Sequence, residues 1–363
     1  MQNALLEKRL ESLKTIIGSD DQALLLTNEK NIGYFCGFFH SEGYLLVTKN
    51  ETVLFVDFRY YEAALKKSSC CKVVCFTKLF KDLISKVKNN SVVKVLFEAS
   101  NITVEKYSRF KKAFSENGIE CICNGTLDDK IDNIRCIKDE SEIEKIAKAQ
   151  EITEKSYLEV LNYLKPGVSE RRVALELEHL IKLNGGEGAS FDLITITGKK
   201  TSLPHGVPSD DIVSEGDFFT FDIGSIFEGY HSDTTRTVAI KSASEEMRKV
   251  YDIVLKAQLA VLDGVKPGAK CSNVDKISRD IISENGYGKY FGHATGHGVG
   301  LDIHESPVVS PRSETVLKKG MIITDEPGIY LPEKFGVRIE DMLCVTENGY
   351  KNFVTLPKEL IIV

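Results

Sequence analysis

The sequence predicts an α/β domain over residues 1–130, followed by an α+β domain over residues 131–363 that contains an internal duplication. Between residues 23 and 125, short β-rich runs such as GYLLVT and TVLFVDF alternate with helical patterns such as RYYEAALKK, which is typical of an α/β domain. A polar stretch, LDDKIDNIRCIKDE, then marks a boundary near residue 130. A repeat occupies much of the remaining chain. The total of 363 residues is enough for two domains, each with its own core.

The second domain is expected to begin with a long helix. Asp139 is followed three residues later by Glu142, which is the spacing of a capping box at a helix N-terminus. We expect this helix to continue to about Tyr163.

Two segments of the second domain repeat one pattern at an offset of 101 residues. They are LKPGVSERRVALELEHLIKLNGG (164–186) and VKPGAKCSNVDKISRDIISENGY (265–287). The identical pairs are Lys165/Lys266, Pro166/Pro267, Gly167/Gly268, Val173/Val274, Ile181/Ile282, Asn184/Asn285 and Gly185/Gly286. Each copy reads as a turn followed by a helix that ends at a glycine cap. We therefore expect two related halves, with a site where they meet.

Composition and charge exclude several classes of protein. The chain has 47 basic and 53 acidic residues, a net charge of −6, and no block of like charge, so a nucleic-acid or membrane partner is not expected. The first residues form a charged amphipathic pattern, and no apolar run is long enough to span a membrane. Nine cysteines, an odd number without a CxxC pair, suit reduced thiols and a cytoplasmic protein.

Two aspartates lie on the arms of a predicted hairpin in the first half. In GDFFTFDIGSIFEGYHSDTTRTVAI, a turn at residues 227–229 would place Asp222 opposite Asp233. Directly opposed side chains have Cβ atoms about 4.5–5.5 Å apart, and like charges so placed repel unless a cation lies between them. His231, in the same turn, is expected to be solvated.

The second half has the same arrangement with glutamates. Glu326 and Glu340 are symmetric about Glu333 in MIITDEPGIYLPEKFGVRIEDML. Solvated surface charge is the simpler interpretation of one acidic residue, but four carboxylates at matched positions favour a metal site. Together with a histidine from the glycine-rich stretch FGHATGHGVGLDIHE, they are too many ligands for one structural zinc. They suit two divalent ions about 3.5–4 Å apart, with manganese, cobalt or iron as candidates.

The ordered motifs FDIG, SDTTRT, GHGVGLDIHE, TDEPGIY and VRIED resemble those of the pita-bread metallopeptidases, which include aminopeptidase P, prolidase and methionine aminopeptidase. The resemblance covers about residues 136–363. The preceding domain resembles the N-terminal domain that creatinase and the proline-directed peptidases carry. It implies an α/β creatinase-like domain over residues 1–130 and a pita-bread catalytic domain with pseudo-twofold duplication over residues 131–363.

By this resemblance, Asp222 chelates one ion, Asp233 and Glu340 bridge both ions, and His297 with Glu326 completes the other. Glu326 is also the expected general base. Further residues implied at the site are the substrate-side histidines His205, His293 and His304, together with Tyr330 and Arg338 as supports for Glu326 and Glu340. The resemblance further implies two divalent ions, with Mn²⁺ first and Co²⁺, Fe²⁺ or Zn²⁺ as alternatives, and a homodimer.

The resemblance implies an Xaa-Pro aminopeptidase that acts on peptides with proline in second position. The alternatives are an Xaa-Pro dipeptidase (prolidase) and a non-catalytic module that binds peptides or proteins through the same cleft. Prolidase-like members commonly carry an arginine four residues after the equivalent of His304, where this chain has Val308; Arg312 lies four residues further on. Asp325 stands where the family more often has an apolar residue, and strand alternation predicts that it points away from Glu326.

Overall fold

The computed structural model describes residues 2–39 and 42–363. It divides into two compact units, one that ends at Ile134 and one that begins at Arg135. Within the described residues, no helix has the length and apolar character needed to cross a membrane. Each of the nine cysteines is a free thiol.

The first unit is built on one six-stranded mixed sheet, in the strand order β4-β3-β2-β1-β5-β6. Its strands are β1 (Gln22–Leu26), β2 (Tyr44–Val47), β3 (Thr52–Val56), β4 (Lys72–Cys75), β5 (Lys94–Phe97) and β6 (Glu120–Ile122). Its helices are α1 (Gln2–Lys14), α2 (Glu29–Cys36), α3 (Phe58–Lys67), α4 (Leu79–Asn89), α5 (Val104–Ser115) and α6 (Thr126–Arg135), the last of which ends at the unit boundary. The predicted α/β alternation is confirmed.

The second unit contains four α-helices among its described elements, which are α7 (Glu140–Val160), α8 (Glu170–Leu183), α9 (Glu245–Gly264) and α10 (Cys271–Glu284). Helix α7 begins with the predicted capping box, because the Asp139 side chain accepts from the backbone of Glu142 while the Glu142 side chain accepts from the backbone of Asp139. The helix ends at Val160, slightly before the expected end.

The two copies of the repeat adopt the same local structure. Each is a turn followed by a helix, α8 in the first copy and α10 in the second. Gly185 and Gly286, two residues beyond the ends of these helices, have φ values of 101° and 87°. Glycine adopts this left-handed conformation without steric cost. The predicted duplication in an α+β unit is confirmed.

The strands of the second unit form several small sheets. They are β7 (Gly188–Ala189), β8 (Ile194–Thr197), β9 (Phe218–Ile223), β10 (Ser225–Phe227), β11 (Tyr230–His231), β12 (Thr234–Ala239), β13 (Gly296–Gly298), β14 (Glu305–Val309), β15 (Ile322–Asp325), β16 (Gly328–Leu331), β17 (Phe335–Arg338), β18 (Asp341–Val345) and β19 (Tyr350–Asn352). The sheet β8-β9-β12 belongs to the first half, and the sheet β14-β13-β15-β18-β19 belongs to the second.

The register of the first hairpin differs from the prediction. The chain reverses in a two-residue turn at Glu228 and Gly229, which both have positive φ, as expected for a turn that matches the twist of the flanking strands. Asp222 is therefore opposite Thr235 rather than Asp233. Asp233 lies two residues before Thr235 on the same arm of the hairpin, so it is diagonal to Asp222. The side chains of Asp222 and Asp233 therefore still lie on one face of the hairpin.

The register of the second hairpin agrees with the prediction. Asp325 pairs with Asp341 on one side of the interruption, and Gly328 pairs with Arg338 on the other. Both pairs have the same centre of symmetry, so Glu326 and Glu340 occupy equivalent positions between them. The second half thus places Glu326 and Glu340 opposite each other in the hairpin.

Candidate metal centre

Three side chains from different parts of the second unit converge on one point. Ligand atoms of Asp233, His297 and Glu340 all lie within 4.8 Å of one another. Asp233 immediately precedes β12, His297 is the middle residue of β13, and Glu340 lies between β17 and β18. Asp233 and Glu340 are buried, at 4% and 2% exposure. Two buried carboxylates beside an imidazole form a donor set that fits a divalent cation.

Glu326 adjoins this group. Its Oε1 lies 3.4 Å from Nε2 of His297. The hydroxyl of Thr324 donates to the same Oε1 at 3.1 Å and accepts from the backbone N–H of His297 at 3.0 Å. A Cβ at Gly296 would stand 2.0 Å from the Thr324 carbonyl oxygen, so only glycine permits this close approach of the two strands.

The imidazole of His297 is oriented by the backbone. Its Nδ1 lies 3.0 Å from the carbonyl oxygen of Gly298, so this nitrogen carries the proton and donates. The Nε2 atom therefore faces the carboxylates, 3.4 Å from Oδ2 of Asp233. A backbone acceptor of this kind is a common way to fix the tautomer of a metal-binding histidine.

Burial and mutual repulsion raise the pKa of each carboxyl in the cluster. Burial, opposed by His297, raises the pKa of Asp233 to about 6 and that of Glu326 to about 7. The pKa of Glu340 lies well above its ordinary value because of burial and the nearby charge of Asp233. Burial alone would lower the pKa of His297, but the bond to Asp233 and the charge of Glu326 raise it to about 9. Carboxyl groups whose pKa values are raised in this way indicate a site where a bound cation would stabilise their ionised forms.

Asp222 is not one of the three converging residues; it forms an ion pair with an arginine instead. Arg338 Nη2 forms an ion pair with Asp222 Oδ2, and its Nε donates to the hydroxyl of Thr235 at 3.1 Å. Thr235 in turn donates to Oε2 of Glu340 at 2.7 Å. The expected support of Glu340 by Arg338 is therefore indirect, through Thr235.

Tyr330 lies between Arg338 and His293. Its hydroxyl accepts from Arg338 Nη1 at 2.7 Å and lies 2.9 Å from Nε2 of His293. Burial raises the pKa of Tyr330 to about 12, so the hydroxyl keeps its proton and donates it to His293. Tyr330 was expected to support Glu326; among the described contacts, its hydrogen bonds are to Arg338 and His293 instead.

The three histidines that were expected on the substrate side lie near the same centre. Nδ1 of His293 is 4.0 Å from Oε2 of Glu326, and burial together with the charge of Arg338 lowers the pKa of His293 to about 4. The ring of His304 lies 4.3 Å from the ring of His297, between centroids. His205 is exposed, and its charge contributes to lowering the pKa of both His293 and His304.

Asp325 points away from the cluster, as strand alternation predicts. It is fully buried beside Asp341, its partner across β15 and β18. Neither of its carboxyl oxygens has a hydrogen-bond partner in the described part of the chain. Burial and the charge of Asp341 raise its pKa well above the ordinary value. Asp341, in contrast, is paired with Arg236 at 2.9 Å and Lys358 at 2.8 Å.

Arg236 connects the two halves behind the centre. Its Nη1 donates to the carbonyl oxygen of Glu340 at 2.6 Å. Two further bonds, each 3.0 Å long, reach the carbonyl oxygens of Leu356 and Pro357. Sequence reasoning did not assign a role to Arg236 or Thr235, although both lie in the SDTTRT motif, and it did not identify Thr324.

His231 is not solvated, contrary to expectation. It is only 6% exposed, and its Nδ1 lies 3.2 Å from the carbonyl oxygen of Gly300. The backbone N–H of His231 donates to the same oxygen at 2.9 Å. The reason is that strand β11 contacts the glycine-rich segment after β13, a contact between residues far apart in sequence.

Comparison with known proteins identifies the family. Residues 144–347 match metallopeptidase family M24, and residues 9–137 match the creatinase/prolidase N-terminal domain. This chain belongs to metallopeptidase family M24. The M24 assignment agrees with the pita-bread fold of its structural relatives and with the buried carboxylate and histidine cluster.

Similar M24 proteins cover nearly the whole chain. The Xaa-Pro dipeptidase of Pyrococcus furiosus is 39% identical over 98% of this chain and 100% of its own length. The solved structure of an Xaa-Pro dipeptidase from Bacillus anthracis has a TM-score of 0.94 and 39% identity, and covers 99% of this chain and 100% of that one. An X-Pro aminopeptidase structure from Thermotoga maritima has a TM-score of 0.89 and 34% identity, with 97% and 99% coverage.

Proposed function

We propose that this M24 metallopeptidase is an Xaa-Pro dipeptidase, which hydrolyses the bond between the two residues of dipeptides that end in proline. The observation that carries the proposal is the buried group of Asp233, His297 and Glu340, in a chain similar over its whole length to two proteins named Xaa-Pro dipeptidase. Xaa-Pro aminopeptidase, the first expectation from sequence, becomes the second candidate.

The proposed metal ligands are Asp222, Asp233, His297, Glu326 and Glu340. Divalent ions bound there, with Mn²⁺ first and Co²⁺, Fe²⁺ or Zn²⁺ as alternatives, would polarise the peptide carbonyl and acidify water. The donor set fits such ions because it combines carboxylate oxygens with one imidazole nitrogen. Repulsion among the buried carboxylates, visible in their raised pKa values, would be relieved by cations.

Glu326 is the proposed general base. In the metal-free protein, burial raises its pKa to about 7, so this carboxyl can take up a proton near neutral pH, as a general base must. Thr324 donates to its Oε1 at 3.1 Å, which fixes one oxygen and leaves Oε2 free of that bond. Oε2 is the oxygen nearer to His293.

His293, His304 and His205 are proposed to bind the substrate. The low pKa of His293, about 4 because of burial and Arg338, keeps its ring neutral at physiological pH. Tyr330 lies beside His293 Nε2 at 2.9 Å and restricts the orientation of the ring. Its Nδ1 lies 2.8 Å from the carbonyl oxygen of Ala294 and donates to it, so a hydrogen bond from His293 to the substrate would replace this backbone bond.

A specific observation favours the second candidate. Val308, on strand β14, is 49% exposed, and an apolar residue there offers no charge-assisted bond to the carboxylate of a dipeptide. Arg312 is exposed four residues later. If neither residue contributes a cation, a longer peptide would be accepted as well as a dipeptide, which is the behaviour of an Xaa-Pro aminopeptidase.

A matched peptide series distinguishes the candidates. The purified protein, loaded separately with Mn²⁺, Co²⁺, Fe²⁺ and Zn²⁺, would be assayed on Ala-Pro, Ala-Pro-Ala and N-acetylated Ala-Pro. A dipeptidase has a higher kcat/KM for Ala-Pro than for Ala-Pro-Ala, and the reverse order indicates an aminopeptidase. Absence of turnover together with absence of bound metal would leave a non-catalytic peptide-binding module.

The assembly and location of the protein are further parts of the proposal. A homodimer is supported by the family resemblance, and a cytoplasmic location is supported by the free cysteines. Light scattering coupled to size-exclusion chromatography would report a mass of twice 40.5 kDa for a dimer, and a mass of one chain would contradict it.

A further inference from the structure

An ion pair on helix α10 lies directly behind the segment that carries His293. Asp275 and Arg279 are one helical turn apart and form a bidentate pair, with Nε to Oδ2 and Nη2 to Oδ1 both at 2.8 Å. Asp275 is buried, with 1% of its surface exposed. A bidentate pair fixes the plane of the guanidinium as well as its position.

The guanidinium of Arg279 also holds the backbone on both sides of His293. Nη2 donates to the carbonyl oxygen of His293 at 2.8 Å, and Nη1 donates to that of Phe291 at 3.1 Å. The guanidinium carbon lies 4.4 Å above the centre of the Phe291 ring. That ring in turn meets the His293 ring edge-on, with centroids 5.1 Å apart. Arg279 thus contacts the main chain of His293 and the aromatic ring against which its side chain packs.

Asp275 connects the same pair to the strand that positions Glu326. Its Oδ1 accepts from the backbone N–H of Thr295 at 3.1 Å and from the hydroxyl at 2.9 Å. The carbonyl oxygen of Thr295 then accepts from the backbone N–H of Glu326 at 2.8 Å. The Asp275 carboxylate is therefore connected to the backbone of Glu326 through Thr295. It is connected to the backbone of His293 through Arg279.

We propose that Asp275 and Arg279 are positioning residues, which together set the distance between His293 and Glu326. The effect on the reaction rests on the proposed function, whereas the effect on the position of His293 does not. Among the described contacts, the pair makes no hydrogen bond to the side chain of a proposed metal ligand; its bonds reach the backbone of residues 291 and 293 and Thr295. Arg279 is suited to this task because lysine, a point charge on a flexible stem, cannot bond to the carboxylate and to two carbonyl oxygens in one plane.

An ordinary stabilising ion pair on a helix is the alternative, and the same helix provides the control. Lys276 and Asp280 also form a pair four residues apart on α10, but both side chains are more than half exposed. Such exposed pairs contribute little to stability. Lys276→Ala therefore removes an ion pair of equal spacing without contact with His293 or Thr295.

The test is a double-mutant cycle between Arg279→Lys and His293→Ala, measured on the metal-loaded protein. If Arg279 acts through His293, Arg279→Lys lowers kcat by about tenfold in the native background, the size typical of a lost supporting contact. It then lowers kcat by less than about twofold in the His293→Ala background, since the residue it positions is gone. Equal fold-losses in both backgrounds overturn the proposal.

Ring signals of histidine in ¹³C-labelled protein give a readout that needs no turnover. The His293 signal is identified by its absence in His293→Ala. Arg279→Lys is expected to shift it while leaving the signals of His179 and His231 unchanged, and Lys276→Ala is expected to shift none of them. An unchanged His293 signal overturns the proposal even if the native protein proves inactive on Xaa-Pro peptides.

Asp275→Asn provides a second variant if Arg279→Lys does not fold. The amide keeps the size of the side chain but loses the charge that holds Arg279. The expected result is the same shift of the His293 signal with metal content retained. A shift confined to resonances other than that of His293 contradicts the proposal.

Discussion

Nε2 of His297 lies 3.4 Å from Oδ2 of Asp233. In the metal-free protein the Asp233 carboxylate and the charge of Glu326 favour the protonated imidazole, which is why the pKa of His297 reaches about 9 despite burial. A metal ion must displace that proton, since only a neutral imidazole is a ligand. We therefore predict that metal affinity increases as the pH rises from 6 to 9.

Calorimetry measures this exchange directly. Titration of Mn²⁺ at pH 7 in buffers of different ionisation enthalpy gives the number of protons released, which we expect to be about one or more. His297→Gln should lower both affinity and proton release. Binding without proton release at pH 7 would contradict the assigned protonation of His297.

The stability of the metal-free protein should fall with rising pH. Burial and neighbouring charges raise the folded-state pKa of Asp233 from 3.8 to about 6 and that of Glu326 from 4.5 to about 7; that of His297, raised by its carboxylate partners, goes from 6.5 to about 9. A group with a raised pKa contributes stability that is complete below its unfolded value and is lost as pH passes its folded value. The free energy of unfolding of the metal-free protein is therefore expected to decrease from about pH 4 to about pH 9. Differential scanning calorimetry with and without Mn²⁺ should show a Tm difference that is larger at pH 8 than at pH 6; a constant difference would argue against this cluster as the binding site.

Neighbouring carboxylates provide a matched pair of variants. Glu326→Gln should lose metal, because it removes a charged oxygen 3.4 Å from His297 Nε2. Asp325→Asn should keep metal, because this side chain faces Asp341 instead. Metal content after dialysis, measured by inductively coupled plasma mass spectrometry, separates the two, and equal loss in both variants would show that Asp325 belongs to the site.

Asp325→Asn should also stabilise the protein. Neither oxygen of Asp325 has a hydrogen-bond partner among the described residues, and the same holds for Oε1 of Gln258, whose side chain lies within interaction distance of Asp325. An amide in place of the carboxyl can donate to that oxygen and has no proton to lose. We expect a gain of about 1–3 kcal/mol in the free energy of unfolding at pH 8, measured by urea denaturation. Because the pKa of Asp325 is raised, the gain should shrink as the pH falls towards 4.

The carboxylates proposed to bridge the ions should matter more for metal binding than His293, which is proposed to bind the substrate. Asp233→Ala or Glu340→Ala removes a member of the converging group and should lower metal content severely. His293→Ala should retain its metal, because His293 Nε2 is bonded to Tyr330, and should keep a reduced but measurable turnover. A metal-free His293→Ala protein alongside a loaded Asp233→Ala protein would reverse these assignments.

Val308→Arg tests how the carboxyl end of a dipeptide is recognised. One new charge-assisted bond is worth about 1.5–3 kcal/mol, or about ten- to a hundredfold in kcat/KM for Ala-Pro relative to Ala-Pro-Ala. Val308 is exposed, so the larger side chain should not disturb the fold. If the native protein already prefers Ala-Pro and Arg312→Ala abolishes that preference, Arg312 supplies the cation, and Val308→Arg should then change little.

The elements that sequence predicted correctly depend on local patterns. The capping box of Asp139 and Glu142 and the glycine-capped helices of the repeat are specified by residues within one or two turns. The register of the first hairpin was wrong by two residues, because it depends on whether the turn at Glu228 contains two residues or more. Sequence spacing alone does not determine that number.

Contacts between distant segments were not predictable from one sequence. The ordered motifs identified the residues at the candidate centre, but the hydroxyl of Thr235 on Glu340 joins residues 105 positions apart. The burial of His231 arises in the same way, from a carbonyl oxygen 69 residues away. The sequence did not indicate a role for Asp275 and Arg279, since an aspartate and an arginine four residues apart on a helix usually form a solvated pair.

The hydrogen bonds from Arg236 to the carbonyl oxygens of Leu356 and Pro357 connect the candidate metal centre to a segment that contains none of its proposed ligands. The guanidinium that supports the Glu340 backbone is neutralised by Asp341 and is further immobilised by two carbonyl oxygens of this late segment. Proteolytic trimming before residue 356 would leave every proposed metal ligand intact while removing two of the hydrogen-bond acceptors that hold Arg236 beside Glu340. A shortened protein could thus lose its metal and still carry every residue by which a peptidase of this family is recognised.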